Sequence, residues 1–284
     1  MLKNKKIFIK LIFVSALLAA SYQTSCYAGT KPLNVGLLPY LSTRMLIHKW
    51  SPLIRYLEHE LKRDVIVSTA PDFNTFLARA NKQEYDIYFT APHFAALAEQ
   101  EQIYQRLVKF DAPLHGDVIV HKDSPYHSIA DLKNKFIVTP DKLAIVTLLG
   151  EDFLLSHGLI PGKTVQVKHI KSHNSALYAV EIQQADAAIV VGGLIKTPHK
   201  GLKQMLRIIS STKNIPHSML MVKNSLSKIE KNKIKQAIFK FIDHPEYSNP
   251  FYENIGFGKF TVITNEDMLH FKPILPMLIK RLKP

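Results

Sequence analysis

Short β-branched segments alternate with helical patterns through the first part of the chain, and this alternation restricts the possible folds most strongly. The predicted strands are 34–39, 64–68 and 85–89, and the predicted helices run from about residue 42 to 61 and from 73 to 80. Ser51-Pro52 predicts a fresh helical segment inside the first helix, because proline suits the first helical position. A β-α-β-α-β order of this kind predicts a mostly parallel sheet covered by helices.

A second alternation of the same type begins near Gly116. Its predicted strands are 117–121, 136–138, 165–169, 187–191 and 219–222, and its helices are 128–132, 144–156 and 175–184. Ser227-x-x-Glu230 then predicts a capped helix start. Two α/β units joined near 116–124 and 212–223 indicate a bilobal α/β protein, with two mostly parallel sheets and an interlobe cleft that closes by hinge motion. We expect lobe 1 to comprise 29–118 plus 223–284, and lobe 2 to comprise 119–222.

The N-terminal 28 residues have the pattern of a secretory signal peptide. Four lysines lie within the first ten residues, Leu11–Ala20 is apolar, and Cys26-Tyr27-Ala28 fits a cleavage site after Ala28. No later stretch reaches the roughly 20 apolar residues of a membrane span. We therefore expect an exported, soluble protein. A lipid anchor on Cys26 is the alternative, although Gln23-Thr24-Ser25 lacks the leucine usual upstream of bacterial lipidation sites.

Charge indicates an acidic partner. The formal net charge is +14, of which the signal-peptide lysines supply four, which leaves +10. Nucleic acid, an anionic membrane and a small anion are the candidates. Export argues against nucleic acid, and the densest lysine group, around 228–235, lies opposite an apolar helix face and indicates a solvated surface. An anionic membrane surface and a small anion therefore both stay open.

The motifs of common enzymes and metal sites are missing from the sequence. Cys26 is the single cysteine, and there is no Gly-x-Ser-x-Gly, His-x-His, His-Glu-x-x-His or Gly-rich phosphate loop. We therefore expect neither catalysis nor a cofactor nor a metal. An exported enzyme with a spatially assembled site stays the third hypothesis on function.

Polar groups follow the apolar strand 85–89 at its carboxyl end. Pro92 cannot continue the strand, so Thr90 and His93 are left at that end. Ligands of open α/β sheets bind at the carboxyl ends of strands. Thr90 and His93 are therefore candidate ligand contacts.

An ordered set of short segments resembles a known family across nearly the whole chain after residue 28. These segments are Val35-Gly36-Leu37-Leu38-Pro39-Tyr40, Trp50-Ser51-Pro52-Leu53, Ala70-Pro71-Asp72-Phe73, Tyr85-Asp86-Ile87 with Pro92-His93, residues 120–125, and Ser172-His173 with Ala179-Val180. The set resembles the periplasmic substrate-binding proteins of phosphate/phosphite/phosphonate ABC transporters. The resemblance implies a type II periplasmic binding protein fold, an anionic solute, an ABC permease as partner and a monomer. A sensory module that acts on a membrane signalling receptor would use the same fold and is the alternative.

The resemblance also implies positions for the site. Tyr40 falls in the first loop of the family's cleft, Thr90 replaces a ligand-contacting tyrosine, and His173, followed by Asn174, matches a pocket histidine. Lys142-Leu143-Ala144 stands where the family has a Ser-Thr-Ser run at the oxyanion-binding helix, and Gly193 and Ser218 replace its amine-binding acids. The predicted ligand contacts are Tyr40, Thr90, His93, Lys142, His173, Asn174 and Ser218. An aminoalkyl phosphonate is not expected, because both the hydroxyl cradle and the acids are missing.

Overall fold

The computed structural model describes residues 31–195 and 202–283, which form two β-sheets flanked by helices. The predicted signal peptide and Cys26 lie outside these residues. The strands are β1 (Leu33–Leu37), β2 (Val65–Ser68), β3 (Ile87–Thr90), β4 (Tyr104–Phe110), β5 (Gly116–His121), β6 (Phe136–Thr139), β7 (Gln166–His169), β8 (Ala187–Val191), β9 (Leu206–Ser211), β10 (Met219–Lys223) and β11 (Phe260–Thr261). The α-helices are α1 (Thr43–Leu61), α2 (Phe73–Asn81), α3 (Pro92–Gln100), α4 (Ile145–Ser156), α5 (His173–Glu181), α6 (Lys228–Asp243), α7 (Pro245–Ile255), α8 (Asn265–Leu269) and α9 (Leu275–Leu282). In the part of the chain that is described, no helix combines the length and the apolar character needed to cross a membrane.

One sheet has six strands in the order β11-β4-β10-β3-β1-β2, and the other has five in the order β7-β6-β8-β5-β9. We call these the six-stranded unit and the five-stranded unit, each with its own helices. β1 pairs in parallel with β2 and β3, and β6 pairs in parallel with β7 and β8. The two-unit α/β architecture predicted from the alternating pattern is therefore present.

The sheets are mixed rather than mostly parallel. β10 runs antiparallel to both β3 and β4, and β5 runs antiparallel to both β8 and β9. β5 carries the chain into the five-stranded unit and β10 carries it back, so each enters its sheet against the direction of its neighbours. The prediction that strand 219–222 closes the second unit is wrong, since β10 lies inside the six-stranded sheet. Apart from this strand, the division into lobes at the predicted boundaries stays a prediction.

Two prolines act differently from the sequence prediction. Pro52 lies inside the continuous helix α1, whose buried stripe of Leu46, Trp50, Leu53 and Leu57 runs through the predicted break. Pro92 does not merely turn the chain; it occupies the first position of α3 after an extended Ala91.

A cluster of aromatic side chains forms the core of the six-stranded unit next to the ends of its central strands. The fully buried Trp50 ring lies 4.5 Å from Phe89 and 5.4 Å from Phe251, between centroids. Phe110 packs against the same rings. The cluster joins α1, β3, β4 and α7, and it holds the carboxyl ends of β3 and β4 in fixed positions.

Candidate functional site

The carboxyl ends of three strands meet at one edge of the six-stranded sheet. β1 ends three residues before Tyr40, and β3 ends at Thr90, which pairs with Met219. β4 ends at Phe110, whose backbone N–H donates to the carbonyl of Ser218 at 3.1 Å. Three of the predicted contacts, Tyr40, Thr90 and Ser218, are therefore carried by the same edge.

An aromatic wall at this edge brings Tyr40 and His217 together. The Phe257 ring lies 5.6 Å from Tyr40 and 4.5 Å from His217, between centroids. Burial raises the pKa of the Tyr40 phenol to about 12, and the nearby Trp50 indole N–H opposes this rise. The Tyr40 hydroxyl is buried and has no hydrogen-bond partner of normal geometry among the described residues. It stays protonated at any pH near neutrality and can donate one hydrogen bond.

Thr90 and His93 are completely buried at the same edge. The Thr90 hydroxyl has no hydrogen-bond partner within the described ranges. His93 lies in the first turn of α3, and its Nε2 is 2.8 Å from the carbonyl oxygen of Leu143 in the five-stranded unit. Since a carbonyl only accepts, Nε2 carries the proton, and burial lowers the pKa of His93 to about 4, which keeps the ring neutral at pH 7. Its other nitrogen, Nδ1, is a buried acceptor without a partner in the described chain.

The matching edge of the five-stranded sheet carries His173. Its Nδ1 accepts a hydrogen bond from the backbone N–H of Val191 at 3.2 Å, where β8 ends. Burial lowers the pKa of His173 to about 4. His217 is held in the same way, because its Nδ1 accepts from the Ser218 N–H at 2.8 Å and burial lowers its pKa to about 4. Both rings are therefore neutral at pH 7, with the proton on Nε2 available for donation.

The loop before α4 joins the two units. Leu143 and Ala144 pack into the same hydrophobic cluster as the core of the six-stranded unit. The Asp141 carboxylate accepts from the Leu143 N–H at 2.7 Å and fixes the turn. α4 then starts at Ile145, and the N–H groups of Ile145 and Val146 have no acceptor among the described residues, as expected for the first turn of a helix.

Five of the seven predicted site residues lie at the two sheet edges, and two are exposed. Tyr40, Thr90, His93 and Ser218 lie at the edge of the six-stranded sheet, and His173 lies at the edge of the five-stranded sheet. The side chains of Lys142 and Asn174 are exposed and form no hydrogen bond or ion pair in the described part of the chain. Only the Lys142 carbonyl is engaged, by Arg281. For these two side chains a ligand role stays a prediction.

Sequence reasoning missed His217 and Phe257. His217 directly precedes the predicted contact Ser218 and the strand β10, which is the available sequence signal for it. Phe257 follows Gly256, which has a positive φ of 77° at the end of α7. Nothing in the local sequence indicates that this ring reaches Tyr40, because the contact depends on how α7 packs. The glycine at 193 has a structural partner, since its N–H donates to the buried Asp117 carboxylate at 3.0 Å.

Two α/β units joined by a hydrogen-bonded loop, with candidate ligand contacts at the carboxyl ends of strands in both sheets, define the class of bilobal ligand-binding proteins. Solved structures of this class superpose on the chain. A binding-protein component of an ABC phosphonate transporter from Pseudomonas aeruginosa has 18% identity and a TM-score of 0.71, with 88% of this chain and 98% of that chain covered. PhnD1 from Prochlorococcus marinus in complex with methylphosphonate has 15% identity and a TM-score of 0.77, with 88% and 99% covered. The periplasmic aliphatic sulphonate binding protein from Escherichia coli has 12% identity and a TM-score of 0.60, with 89% and 94% covered.

The family is shown by the sequence itself. Residues 35–268 match the model of the periplasmic substrate-binding proteins of phosphonate ABC transporters. The chain therefore belongs to this family, which confirms the resemblance, the fold class and a role in transport rather than catalysis. A small-molecule ligand and a membrane permease are the partners that this family implies.

Proposed function

We propose that the protein captures a small oxyanion of the phosphonate type, without an amino group, and delivers it to an ABC permease. The observation that carries the proposal is a group of three buried polar atoms without partners among the described residues. These are the Tyr40 hydroxyl, the Thr90 hydroxyl and His93 Nδ1, all at the carboxyl edge of one sheet. An unpaired buried polar group costs roughly 1–3 kcal/mol, so three at one edge point to a ligand.

The hydrogen-bond donors around this edge are suited to an anionic group on the ligand. Tyr40 and Thr90 offer hydroxyl protons, and His173 and His217 offer Nε2–H protons. The first turn of α4 adds backbone N–H groups with the positive end of its dipole. We infer that these donors hold the oxyanion and that Ser218 contacts it beside His217. Lys142 and Asn174, which are exposed, contribute at the rim, where a positive charge at Lys142 attracts the anion.

The same edge argues against an amine on the ligand. A ligand ammonium needs a carboxylate or several carbonyl acceptors, and none of the seven predicted contacts is acidic. Asp117 and Asp141, the nearby acids on the five-stranded unit, already bond Gly193 and Leu143. Methylphosphonate, which is bound by PhnD1 of Prochlorococcus marinus, fits these limits, and aminoethylphosphonate does not.

The family and the N-terminal sequence pattern support a wider proposal on localisation and partners. We infer export with cleavage after Ala28, a monomer in the periplasm, and no binding of nucleic acid. The sensory role has no observation in its favour, while the family model supports the transporter role.

Thermal unfolding of residues 29–284 against a panel of small anions tests the proposal. The panel holds phosphate, phosphite, methylphosphonate, aminoethylphosphonate, methanesulfonate and acetate. A ligand at 100 times its dissociation constant adds about 2.7 kcal/mol to the free energy of unfolding. We expect methylphosphonate to raise the melting temperature and aminoethylphosphonate to have little effect. A panel without any hit would contradict the proposed ligand class.

A further inference from the structure

His93 has two ring nitrogens with opposite hydrogen-bonding roles. Nε2 donates to the Leu143 carbonyl at 2.8 Å, so the neutral ring has a lone pair and no proton on Nδ1. The ring is 0% exposed and is stacked on Phe94, with 4.0 Å between centroids. The Leu143 bond reaches across to the other unit, which fixes both the position of the ring and its tautomer.

The acceptor at Nδ1 needs a donor that the described chain does not supply. The two hydroxyls at the same edge, of Thr90 and Tyr40, form no hydrogen bond with it. A fully deprotonated oxyanion has no proton to give, and its oxygens would meet a lone pair. A monoprotonated oxyanion carries one O–H and satisfies the acceptor.

The charges near the ring agree with this selection. His93 lies on α3, and the charged groups on the elements that pack against α3 or bond it are Arg106 and Lys109 on β4, Lys223 on β10, Lys280 and Arg281 on α9, and Asp141 and Lys142 in the loop before α4. On β4 and β10, Arg106 pairs with Glu99 of α3 itself, Lys109 pairs with Asp267 and Lys223 pairs with Asp86. Asp141 bonds the Leu143 N–H, Lys142 is exposed, and Arg281 bonds the Lys142 carbonyl and Glu151. None of them forms an ion pair with a group at the edge that carries Tyr40, Thr90 and His93. A buried dianion would therefore have only the exposed Lys142 at the rim to offset its charge, whereas a monoanion leaves less charge to compensate.

From this geometry we propose that His93 determines specificity by accepting the ligand's O–H, so that the protein binds the monoprotonated form of a phosphonate in preference to the dianion. The inference rests on the proposed function, since it concerns the same site. No proton is transferred between ligand and protein on binding, because the ligand keeps its proton and His93 stays neutral. Sulfonates have the same shape but no O–H at neutral pH, so they leave Nδ1 without a donor.

Calorimetric titration of residues 29–284 between pH 6 and pH 9 tests the inference without any mutation. The dissociation constant of methylphosphonate is expected to rise about tenfold for each pH unit above the ligand's second pKa, because the bound form becomes scarce. The dissociation constant of methanesulfonate should be higher than that of methylphosphonate at pH 6, and it should not change with pH. Tyr40, with a pKa of about 12, and the three neutral histidines, with pKa values of about 4, do not titrate in this range.

A substitution at His93 tests whether this residue causes the pH dependence of methylphosphonate binding. His93→Phe keeps a planar ring and removes the acceptor, and we expect its methylphosphonate affinity to lose the pH slope. His157→Phe, the same change at an exposed histidine on α4's C-terminal side, should keep the slope. Methylphosphonate binding that is flat or tighter as the pH rises, or a full slope in His93→Phe, would overturn the inference and leave the proposed function standing. Failure of both ligands to bind would overturn the inference and the proposed function together.

Discussion

At the scale of single residues, three histidines owe their neutral state to position. His93, His173 and His217 are each held by a backbone group that fixes the ring, and burial lowers each pKa to about 4. In an unfolded chain the pKa of histidine is about 6.5. Between these values the unfolded state binds more protons than the folded state. The stabilising contribution is therefore complete above pH 6.5 and is lost as the pH falls toward 4.

This difference predicts acid sensitivity in a definite window. From pH 6.5 down to pH 4.5, the free energy of unfolding should fall by up to ~1.4 kcal/mol per pH unit for each histidine, and by less for His173, which is partly exposed. Urea unfolding at half-unit pH steps measures it. His217→Gln should make the slope shallower than in the wild type. Equal stability at pH 7 and pH 4.5 would show that these rings are not kept neutral by the fold.

The residues of the site differ in how far the sequence could predict them. Thr90 and His93 were predicted from a strand that ends at a proline, because strand ends are local features of the sequence. Tyr40, His173 and Ser218 came only from the family resemblance. The tautomer of His93 could not be predicted, since it depends on a carbonyl 50 positions away. The contact of Phe257 with Tyr40 depends on long-range packing in the same way.

At the scale of elements, a local capping signal predicted the start of α6. Ser227 was predicted to cap α6, and its hydroxyl accepts from the Glu230 N–H at 3.1 Å. Ser227→Ala should lower the free energy of unfolding by about 1 kcal/mol, because one N–H of the first turn loses its acceptor. Urea unfolding measures this loss. Ser227→Asp, which restores an acceptor, should recover most of it, and an alanine variant as stable as the wild type would contradict the capping role.

The order of the strands within each sheet was harder to predict from the sequence than the strands and helices themselves. The period of apolar residues located β5 and β10, but periodicity contains no information on which sheet a strand joins. β10 lies between β3 and β4, more than 100 positions away along the chain. The helix α3 was also missed, because Pro92 was interpreted as a terminator rather than as a first helical residue. These errors concern long-range pairing and the dual role of proline, not the α/β class.

At the scale of the whole molecule, Arg281 links the two units beside the site. It lies on α9, which packs against α3, and it donates to the Lys142 carbonyl and to Glu151 of α4. Glu151 also lies 3.6 Å from His169 Nε2. The loop before α4 is thus bonded from the six-stranded unit twice, by His93 and by Arg281. We expect this pair of bonds to favour the closed arrangement of a hinged protein.

Removal of Arg281 should therefore shift the molecule toward an open form. Arg281→Met keeps the aliphatic packing and should weaken methylphosphonate binding several-fold, because part of the binding energy is then used for closure. The radius of gyration of the unliganded protein, measured by X-ray scattering, should increase. Lys280→Met, the neighbouring exposed position, is the matched control. Affinity and radius equal to those of the control would contradict the linking role.

The central claim is that an oxyanion binds at the edge formed by Tyr40, Thr90 and His93. Calorimetric titration of methylphosphonate into the wild type, Thr90→Val and the exposed control Thr43→Val tests it most directly. Thr90→Val keeps the shape of the side chain and removes its donor. Since a hydrogen bond to a charged group contributes about 1.5–3 kcal/mol, we predict a loss of affinity of roughly ten- to a hundredfold for Thr90→Val and none for Thr43→Val. Binding by the wild type with unchanged affinity in Thr90→Val would contradict this location for the site.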